Sequence, residues 1–303
     1  MNIVMLGHSN AGKTTYIAMM YALMRKGYGG FKVRAEDGAL DRELRAAADA
    51  VRQGSYPPPS SRREQHVFRL SHGRRTVAGF TWTDYRGGAL SSRTDDEETA
   101  RVLAELTGAD GIVVFVDAHH LAPAPVAVRE VRRLTVLLQR AMEGRTSRIP
   151  VVLAYTKADL LTSTDAWARA TAPLDLLQQS LDGASMVRAA TVALSCGPQP
   201  AGVQVPVLWC LAQHLSIRVE DLEHELAVSR RLAEEAKNKA GLWNSLVSTL
   251  DGVESEYRKW QRHEQAAKEE AAQLAPLKRP AKRLLAALDK AREQTAPPVP
   301  AGR

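Results

Sequence analysis

Residues 7–14 read GHSNAGKT, which matches the pattern G-x-x-x-x-G-K-[ST] of a phosphate-binding loop. Glycines let backbone amides converge on phosphate oxygens, and a helix that begins at the loop adds a positive partial charge. We expect the Lys13 ammonium to reach the β- and γ-phosphates and the Thr14 hydroxyl to bind Mg²⁺. The alternative is a glycine-rich turn with a solvated lysine. The loop residues predicted to hold a nucleotide are Gly7, Ser9, Asn10, Ala11, Gly12, Lys13, Thr14 and Thr15.

The segment DYRGG, residues 84–88, follows an apolar run and contains the pattern D-x-x-G. A carboxylate at a strand end, here Asp84, is placed to hold the metal directly or through water. The Gly87 amide can approach a γ-phosphate because no Cβ obstructs it. The segment therefore predicts the part of the site that senses the γ-phosphate, and Gly87 joins Lys13 among the predicted catalytic residues.

The segment TKAD, residues 156–159, follows the apolar run IPVVLAY. The Asp159 carboxylate can accept hydrogen bonds from the N1–H and the exocyclic amine of guanine, a pair of donors that adenine lacks. The Lys157 stem can lie along the base plane, and Thr156 can tie the segment to the phosphate-binding loop. The alternative is a helix start with Asp159 near its first turn. Two further residues, Ser195 and Cys196, are predicted to bring backbone amides to the guanine O6.

These motifs act together only if the chain brings them to one edge of a sheet. Short, nearly continuous apolar runs predict buried parallel strands, and apolar residues three or four apart predict helices. Strands are predicted within 2–6, 66–71, 75–82, 110–118, 149–159 and 189–195, and helices over 13–25, 39–52, 126–142 and 205–215. This alternation predicts a doubly wound α/β domain over residues 1–216. Three prolines make SYPPPSS, residues 55–61, an exposed and extended connection.

The composition changes after residue 216, where glycine and proline become few and Ala, Glu, Lys and Arg become frequent. The three–four spacing of a coiled-coil seam runs through Leu222, Leu226, Ser229, Ala233, Ala236, Ala240, Trp243, Val247 and Leu250. We expect Pro276 and Pro280 to break this pattern. Residues 217–294 are therefore predicted to form a helical arm, as a coiled coil or a helical hairpin, and residues 295–303 a disordered tail.

The chain has 303 residues, 45% of them hydrophobic, and a formal net charge of +7. Its basic residues are spread out rather than interleaved with aromatic ones, so we expect no specific nucleic-acid partner. The sequence has no run of about 18 apolar residues that would predict a membrane span. Two cysteines are too few for a disulfide framework, and the N-terminus lacks the pattern of a secretory signal, so we expect a cytoplasmic protein.

The segments GHSNAGKT, DYRG, TKAD and ALSC occur in this order, each at a predicted strand end. Together they resemble the Ras-like and Era-like P-loop GTPases of the translation-factor class, over residues 1–216. The resemblance implies a Ras-like, mostly parallel sheet with helices on both faces, which binds Mg²⁺ and GTP or GDP at the carboxyl edge of the strands. It also implies two switch segments that order around the γ-phosphate. The extra helix before QGSYPPPSS is similar to that of the bacterial double-GTPase-type families.

The chain departs from the resembled families in both switch segments. Those families usually carry a threonine in the first switch, whereas this chain offers serines, of which Ser60 and Ser61 are the predicted metal ligands. Many relatives place a water-orienting glutamine after the D-x-x-G glycine, and this chain has Gly88 instead. We therefore expect slow hydrolysis unless another group positions the water. Candidates for a charge-stabilising arginine supplied in cis are Arg62, Arg63 and Arg86.

The function predicted from these motifs is that of a regulatory GTPase whose helical arm, residues 217–294, contacts a protein partner or a second copy. The alternative for the arm is a structural role, in which its helices pack back on the GTPase domain or on each other. One alternative is a GTP-binding scaffold with little or no turnover, which Gly88 favours. A second is an ATP-dependent phosphotransferase, against which the TKAD segment argues. A third is a dynamin-like membrane GTPase with the arm as its stalk. The basic, amphipathic segment 278–292 also suits contact with anionic lipid, which we do not favour.

Overall fold

The computed structural model describes residues 1–58, 63–84, 97–121, 126–244 and 251–294, and within these ranges seven strands form one sheet. The order of the strands across the sheet is β2-β3-β4-β1-β5-β6-β7. In chain order the strands are β1 (Asn2–Leu6), β2 (Phe31–Ala35), β3 (Glu64–His72), β4 (Arg75–Asp84), β5 (Gly111–Asp117), β6 (Ile149–Thr156) and β7 (Val187–Ala193).

The sheet is mostly parallel, as the sequence predicts. Strand β1 pairs in parallel with β4 and β5, and β6 pairs in parallel with β5 and β7, whereas β3 runs antiparallel to both β2 and β4. The register places Met5 beside Asp84 and Asp117 beside Thr156. The loops that follow β1, β4, β5 and β6 therefore leave the sheet at one edge, where open α/β sheets bind their ligands.

Helices cover both faces of the sheet, which confirms the predicted fold class. Side chains alternate between the faces along a strand, so Ile3 and Met5 join one buried cluster and Val4 and Leu6 the other. The described helices are α1 (Lys13–Lys26), α2 (Gly38–Arg52), α3 (Glu97–Thr107), α4 (Ala118–Leu121), α5 (Val126–Met142), α6 (Thr164–Thr171), α7 (Asp175–Gly183), α8 (Val205–Asn244) and α9 (Asp251–Glu293). Helices α1, α2 and α8 pack on the first face, and α3, α5, α6 and α7 on the second.

The chain divides into two compact units, and the division falls inside α8 and α9. The first unit comprises Met1–His214 together with the residues from Leu284 onward, and the second comprises Leu215–Arg283. None of the helices in the described ranges has an apolar stretch of the length that a bilayer requires.

The second unit is a pair of antiparallel helices. Leu222 and Leu226 of α8 form a buried cluster with Leu274 of α9. The Ser229 hydroxyl donates to Glu270 over 3.0 Å, and other polar contacts between the helices accompany it. The buried positions on α8 belong to the seam predicted from the sequence, because leucines spaced four apart lie on one face of a helix. This unit is a helical hairpin.

Helix α9 continues through Pro276 and Pro280, so the expected break is wrong. Each proline removes one backbone donor, but Leu274 and Ala281 on either side are buried, and their packing holds the helix together. Because α9 runs on unbroken, its last turns belong to the first unit. The sequence instead predicts that the GTPase domain ends at residue 216 and that the arm continues to residue 294.

The last turns of α9 pack into the core of the first unit. Leu284, Ala287, Leu288 and Ala291 belong to the buried cluster on the α1 face of the sheet. A Cβ added at Gly29 would lie 2.6 Å from the Ala287 Cβ, so the loop after α1 approaches this helix closely. The Tyr28 hydroxyl donates to Gln294 over 2.8 Å. The end of α9 is thus an integral layer of the first unit.

We expect Leu288→Ala to destabilise the protein, because Leu288 is 1% exposed and its truncation leaves a cavity in the core. Large-to-small changes of this kind cost about 2–5 kcal/mol of the free energy of unfolding. Thermal and urea unfolding of the full chain measure the effect. The matched control is Leu232→Ala on α8, where the leucine is 39% exposed. Equal unfolding midpoints for the two variants would show that the end of α9 is not part of the core.

Candidate functional site

A cavity of about 490 Å³ lies between the loops that follow β1, β6 and β7. Segments far apart in sequence meet there, because the three strands carry their carboxyl ends to the same edge of the sheet. The lining residues are Ser9, Asn10, Ala11, Gly12, Lys13, Thr14, Thr15, Tyr56, Pro57, Pro58, Thr156, Lys157, Asp159, Leu160, Cys196 and Gly197.

The loop between β1 and α1 has the backbone that a phosphate-binding loop requires. Gly12, the residue before α1, has φ of 82°, and Asn10 has φ of 65°. A Cβ at Gly7 would come within 2.6 Å of the Phe115 carbonyl oxygen, so only glycine fits where the loop leaves β1. The loop delivers the amino end of α1 to the cavity, and the backbone N–H groups there favour an anion.

Lys13 is buried at the start of α1, with 6% of its surface exposed. Its Nζ donates to the carbonyl oxygen of Gly7 at 2.8 Å and to that of His8 at 3.1 Å. Burial lowers the pKa of the Lys13 ammonium, and the negative charge of Asp84 offsets part of this shift. Asp84 is itself buried at the end of β4. A further anion beside Lys13 would favour its charged form in the same way.

Thr156 and Lys157 connect the TKAD segment to the neighbouring loops. The Thr156 hydroxyl lies 3.0 Å from the Ala11 carbonyl oxygen and 3.1 Å from that of Val116. Lys157 has φ of 55°, and its Nζ donates to the Asp117 carboxylate at 2.5 Å. These contacts hold the phosphate-binding loop, the end of β5 and the end of β6 in one rigid arrangement. Sequence reasoning anticipated the Thr156 contact but not the one with Asp117.

Asp159 and the loop after β7 meet at the other end of the cavity. A Cβ placed on Gly197 would lie 3.8 Å from the Ser195 hydroxyl and 4.0 Å from the Asp159 Oδ2. Burial raises the pKa of the neighbouring Cys196 thiol, and the charge of Asp159 adds to that shift. The carboxylate is exposed, on a 3₁₀ turn over Ala158–Leu160, and so it is available to a ligand.

Several predicted site residues are not brought to this cavity. Arg63 forms an ion pair with Glu105 of α3, with 2.8 Å between Nη2 and Oε1, and does not line the cavity. Asp84 acts on Lys13 from the end of β4 and is not among the lining residues. The predicted metal ligands Ser60 and Ser61, and Arg62, Arg86, Gly87 and Gly88, lie outside the described residues, as does the predicted tail 295–303.

Five lining residues are not among the predicted site residues: Tyr56, Pro57, Pro58, Leu160 and Gly197. The sequence predicts only an exposed connection for the segment that contains the first three. Its one distinguishing signal is an aromatic residue immediately before a run of prolines, because the residue before proline is held in an extended conformation.

A mostly parallel sheet with a phosphate-binding loop after β1 and helices on both faces defines the Ras-like class of P-loop GTPase folds. Residues 2–198 match the Double-GTPase 2 family, and the chain belongs to that family. The predicted resemblance to double-GTPase families is confirmed. No curated protein matches the chain.

Solved GTPase structures resemble the chain distantly. The structure of sup35 complexed with GDP has 16% identity and a TM-score of 0.31, over 63% of this chain and 36% of the sup35 chain. The Ski7 GTPase-like domain of S. cerevisiae, bound to GDP and inorganic phosphate, has 13% identity and a TM-score of 0.39, over 65% of this chain and 43% of the other. The same domain bound to GTP has 12% identity and a TM-score of 0.36, over 65% and 42%. The chain thus matches less than half the length of these structures.

Proposed function

We propose that this protein is a Mg²⁺-dependent regulatory switch that binds and hydrolyses GTP and whose helical arm contacts a protein partner. One observation carries the proposal: a single cavity is lined both by Lys13, which is buried, and by Asp159, which is exposed. The cation and the loop amides suit a polyphosphate, and the carboxylate suits the hydrogen-bond donors of guanine.

Lys13 and the amides of the phosphate-binding loop would stabilise the negative charge that develops on the β–γ bridging oxygen and the γ-phosphate. Water attacks the γ-phosphorus, the bond to the bridging oxygen breaks, and GDP and inorganic phosphate leave. Two loop carbonyls accept hydrogen bonds from the Lys13 ammonium, so the loop itself positions this charge. A positioned charge requires no reorganisation during the reaction.

The residues at the phosphate end fit Mg²⁺. This ion prefers oxygen ligands and keeps part of its coordination for phosphate and water. The Thr14 hydroxyl lines the cavity, and the Asp84 carboxylate is buried close enough to Lys13 to affect its pKa. We assign the metal to Thr14 and Asp84, with Ser60 or Ser61 as the ligand from the first switch. Bound there, the ion would neutralise charge on the β- and γ-phosphates.

Slow turnover follows from Gly88, which provides no side chain to orient the attacking water. We assign recognition of the γ-phosphate to the Gly87 amide and compensation of charge to Arg62 or Arg63. Arg63 would have to leave Glu105 to act in this way, so its ion pair would be broken in the active arrangement. Gly88 also supports a second candidate function, a GTP-binding scaffold with little or no turnover.

The helical hairpin is the proposed site of contact with a protein partner or with a second copy of the chain. Among its described residues, a small buried cluster forms around Leu222, Leu226 and Leu274. Two helices packed through so small a cluster gain little from burial, so a partner would add to their stability. The hairpin joins the GTPase unit through two continuous helices, α8 and α9, which suits the transmission of a change at the nucleotide.

Isothermal titrations with GTP, GDP and ATP, with and without Mg²⁺, test the proposal. We expect wild type to bind GTP at least about 100-fold more tightly than ATP, because two hydrogen bonds to a carboxylate contribute about 1.5–3 kcal/mol each. Mg²⁺ is expected to strengthen GTP binding, and Thr14→Ala and Asp84→Asn are expected to remove that gain. Asp182→Asn, a change of an exposed carboxylate on α7, is the matched control.

Single-turnover hydrolysis separates the two candidate functions. GTP cleavage by wild type that Asp84→Asn abolishes supports the switch, and tight binding of GTP without cleavage supports the scaffold. Equal affinity for GTP and ATP, or no effect of Mg²⁺ on either, would contradict both.

A further inference from the structure

Tyr56 is an aromatic residue that lines the nucleotide cavity and has no role in the motifs described above. Its side chain is 58% exposed, although the residue belongs to a segment that touches the site. Its hydroxyl lies 3.5 Å from the point that a Cβ of Gly197 would occupy, and the Asp159 Oδ2 lies 4.0 Å from the same point. Tyr56 therefore stands at the base-binding end of the cavity.

The backbone around Tyr56 is constrained on both sides. The Ser55 amide donates to the Ala50 carbonyl at 2.9 Å, which fixes the segment to the end of α2. Pro57 and Pro58 follow, so the φ of both is restricted and Tyr56 is held extended. An aromatic ring on such a segment loses little conformational entropy when it meets a ligand.

The chemistry of this end of the cavity suits a flat, partly apolar ligand with polar edges. Tyr56 and Leu160 provide apolar surface to the cavity, and both are exposed. Gly197 has no side chain, and this leaves room beside the tyrosine hydroxyl. A purine fits this combination, because its faces stack on aromatic rings while its edge is free for hydrogen bonds.

We propose that the ring of Tyr56 stacks on the purine of the bound nucleotide and forms the outer wall of the base site. The inference rests on the proposed nucleotide site and adds a division of labour to it. Tyr56 contributes affinity for every purine, since each purine has a π-face. Asp159 distinguishes guanine from other purines by accepting hydrogen bonds from the N1–H and the exocyclic amine on the edge of the guanine base.

Titrations of the full chain with GDP, inosine diphosphate and pyrophosphate test this division. We expect Tyr56→Ala to weaken the binding of GDP and of inosine diphosphate by the same factor, about 10-fold. This factor corresponds to the loss of one base–aromatic stack. Pyrophosphate has no base, so its affinity is expected to stay unchanged. Tyr56→Phe keeps the ring and is expected to bind like wild type. The matched control is Tyr257→Ala, because Tyr257 is 49% exposed and lies on the hairpin.

The outcomes separate this inference from the function on which it rests. If wild type binds GDP and Tyr56→Ala binds it equally well, the stacking role is wrong and the nucleotide site stands. If Tyr56→Ala weakens the binding of pyrophosphate as much as that of GDP, Tyr56 acts on the phosphate-binding loop rather than on the base. That result would overturn the inference. If wild type binds none of the three probes, the nucleotide site itself is wrong.

Discussion

Lys13→Ala is expected to abolish the binding of GTP and GDP. The buried ammonium is the proposed cation of the phosphate site, and it donates to the carbonyl oxygens of Gly7 and His8. Hydrogen bonds to charged groups contribute about 1.5–3 kcal/mol each. Losing two such bonds between the Lys13 ammonium and the phosphates therefore lowers the affinity for the nucleotide at least about 100-fold. Isothermal titration with GTP and GDP in the presence of Mg²⁺ measures the loss.

Two further variants separate the charge of Lys13 from its packing. Lys13→Met keeps most of the apolar stem and removes the ammonium. We therefore expect it to abolish nucleotide binding as Lys13→Ala does. Lys26→Ala, at the exposed end of the same helix, is the matched control and is expected to bind like wild type. Circular dichroism of each variant shows that it is folded. Binding of GTP by Lys13→Met within 10-fold of wild type would remove Lys13 from the phosphate site.

The central part of the fold could be predicted because its signals are local. The runs NIVML and IPVVLAYT are apolar at almost every position, which is typical of strands buried on both faces, and they form β1 and β6. Parallel strands end at one edge, so motifs at their carboxyl ends had to meet there. The Thr156 contact with Ala11 follows from that rule, although the two residues are 145 positions apart.

Strand β2 was missed because its signal is weak. It has five residues, lies at the edge of the sheet, and follows the glycines Gly29 and Gly30. Its pattern becomes clear only in the structure, where Phe31 and Val33 are buried against the core while Lys32 and Arg34 are exposed. A strand of this length needs the neighbouring β3 to define it, and that pairing is not visible in the sequence.

The unbroken course of α9 and the position of Tyr56 were missed for a different reason. Both depend on contacts between residues far apart in the chain, such as Gly29 with Ala287 and Tyr56 with Gly197. No periodicity connects such residues. The two prolines of α9 predict a break that does not occur, since their local cost is outweighed by the packing of Leu274 and Ala281 on either side of them.

Asp159→Asn is expected to remove the preference for guanine without removing the binding of phosphates. The asparagine amide keeps one acceptor but presents N–H groups to a donor of guanine, so we expect GDP to bind at least about 100-fold more weakly. Xanthosine diphosphate has an oxygen in place of the exocyclic amine, and that oxygen can accept from the new amide. We therefore expect the variant to bind xanthosine diphosphate more tightly than GDP, as measured by isothermal titration.

We expect the change at Asp159 to affect the proposed base site alone, because Asp159 is exposed, whereas the buried Thr156 contacts the phosphate-binding loop at Ala11. Pyrophosphate affinity is therefore expected to stay at the wild-type value. Asp165→Asn, on the exposed first turn of α6, is the matched control and is expected to keep the preference for GDP. Equal losses of affinity for GTP and ATP in Asp159→Asn would contradict the assignment of guanine recognition to Asp159. Weaker binding of pyrophosphate would instead show that Asp159 supports the phosphate-binding loop. Pyrophosphate has no base, so it shares only the phosphate site with the nucleotides.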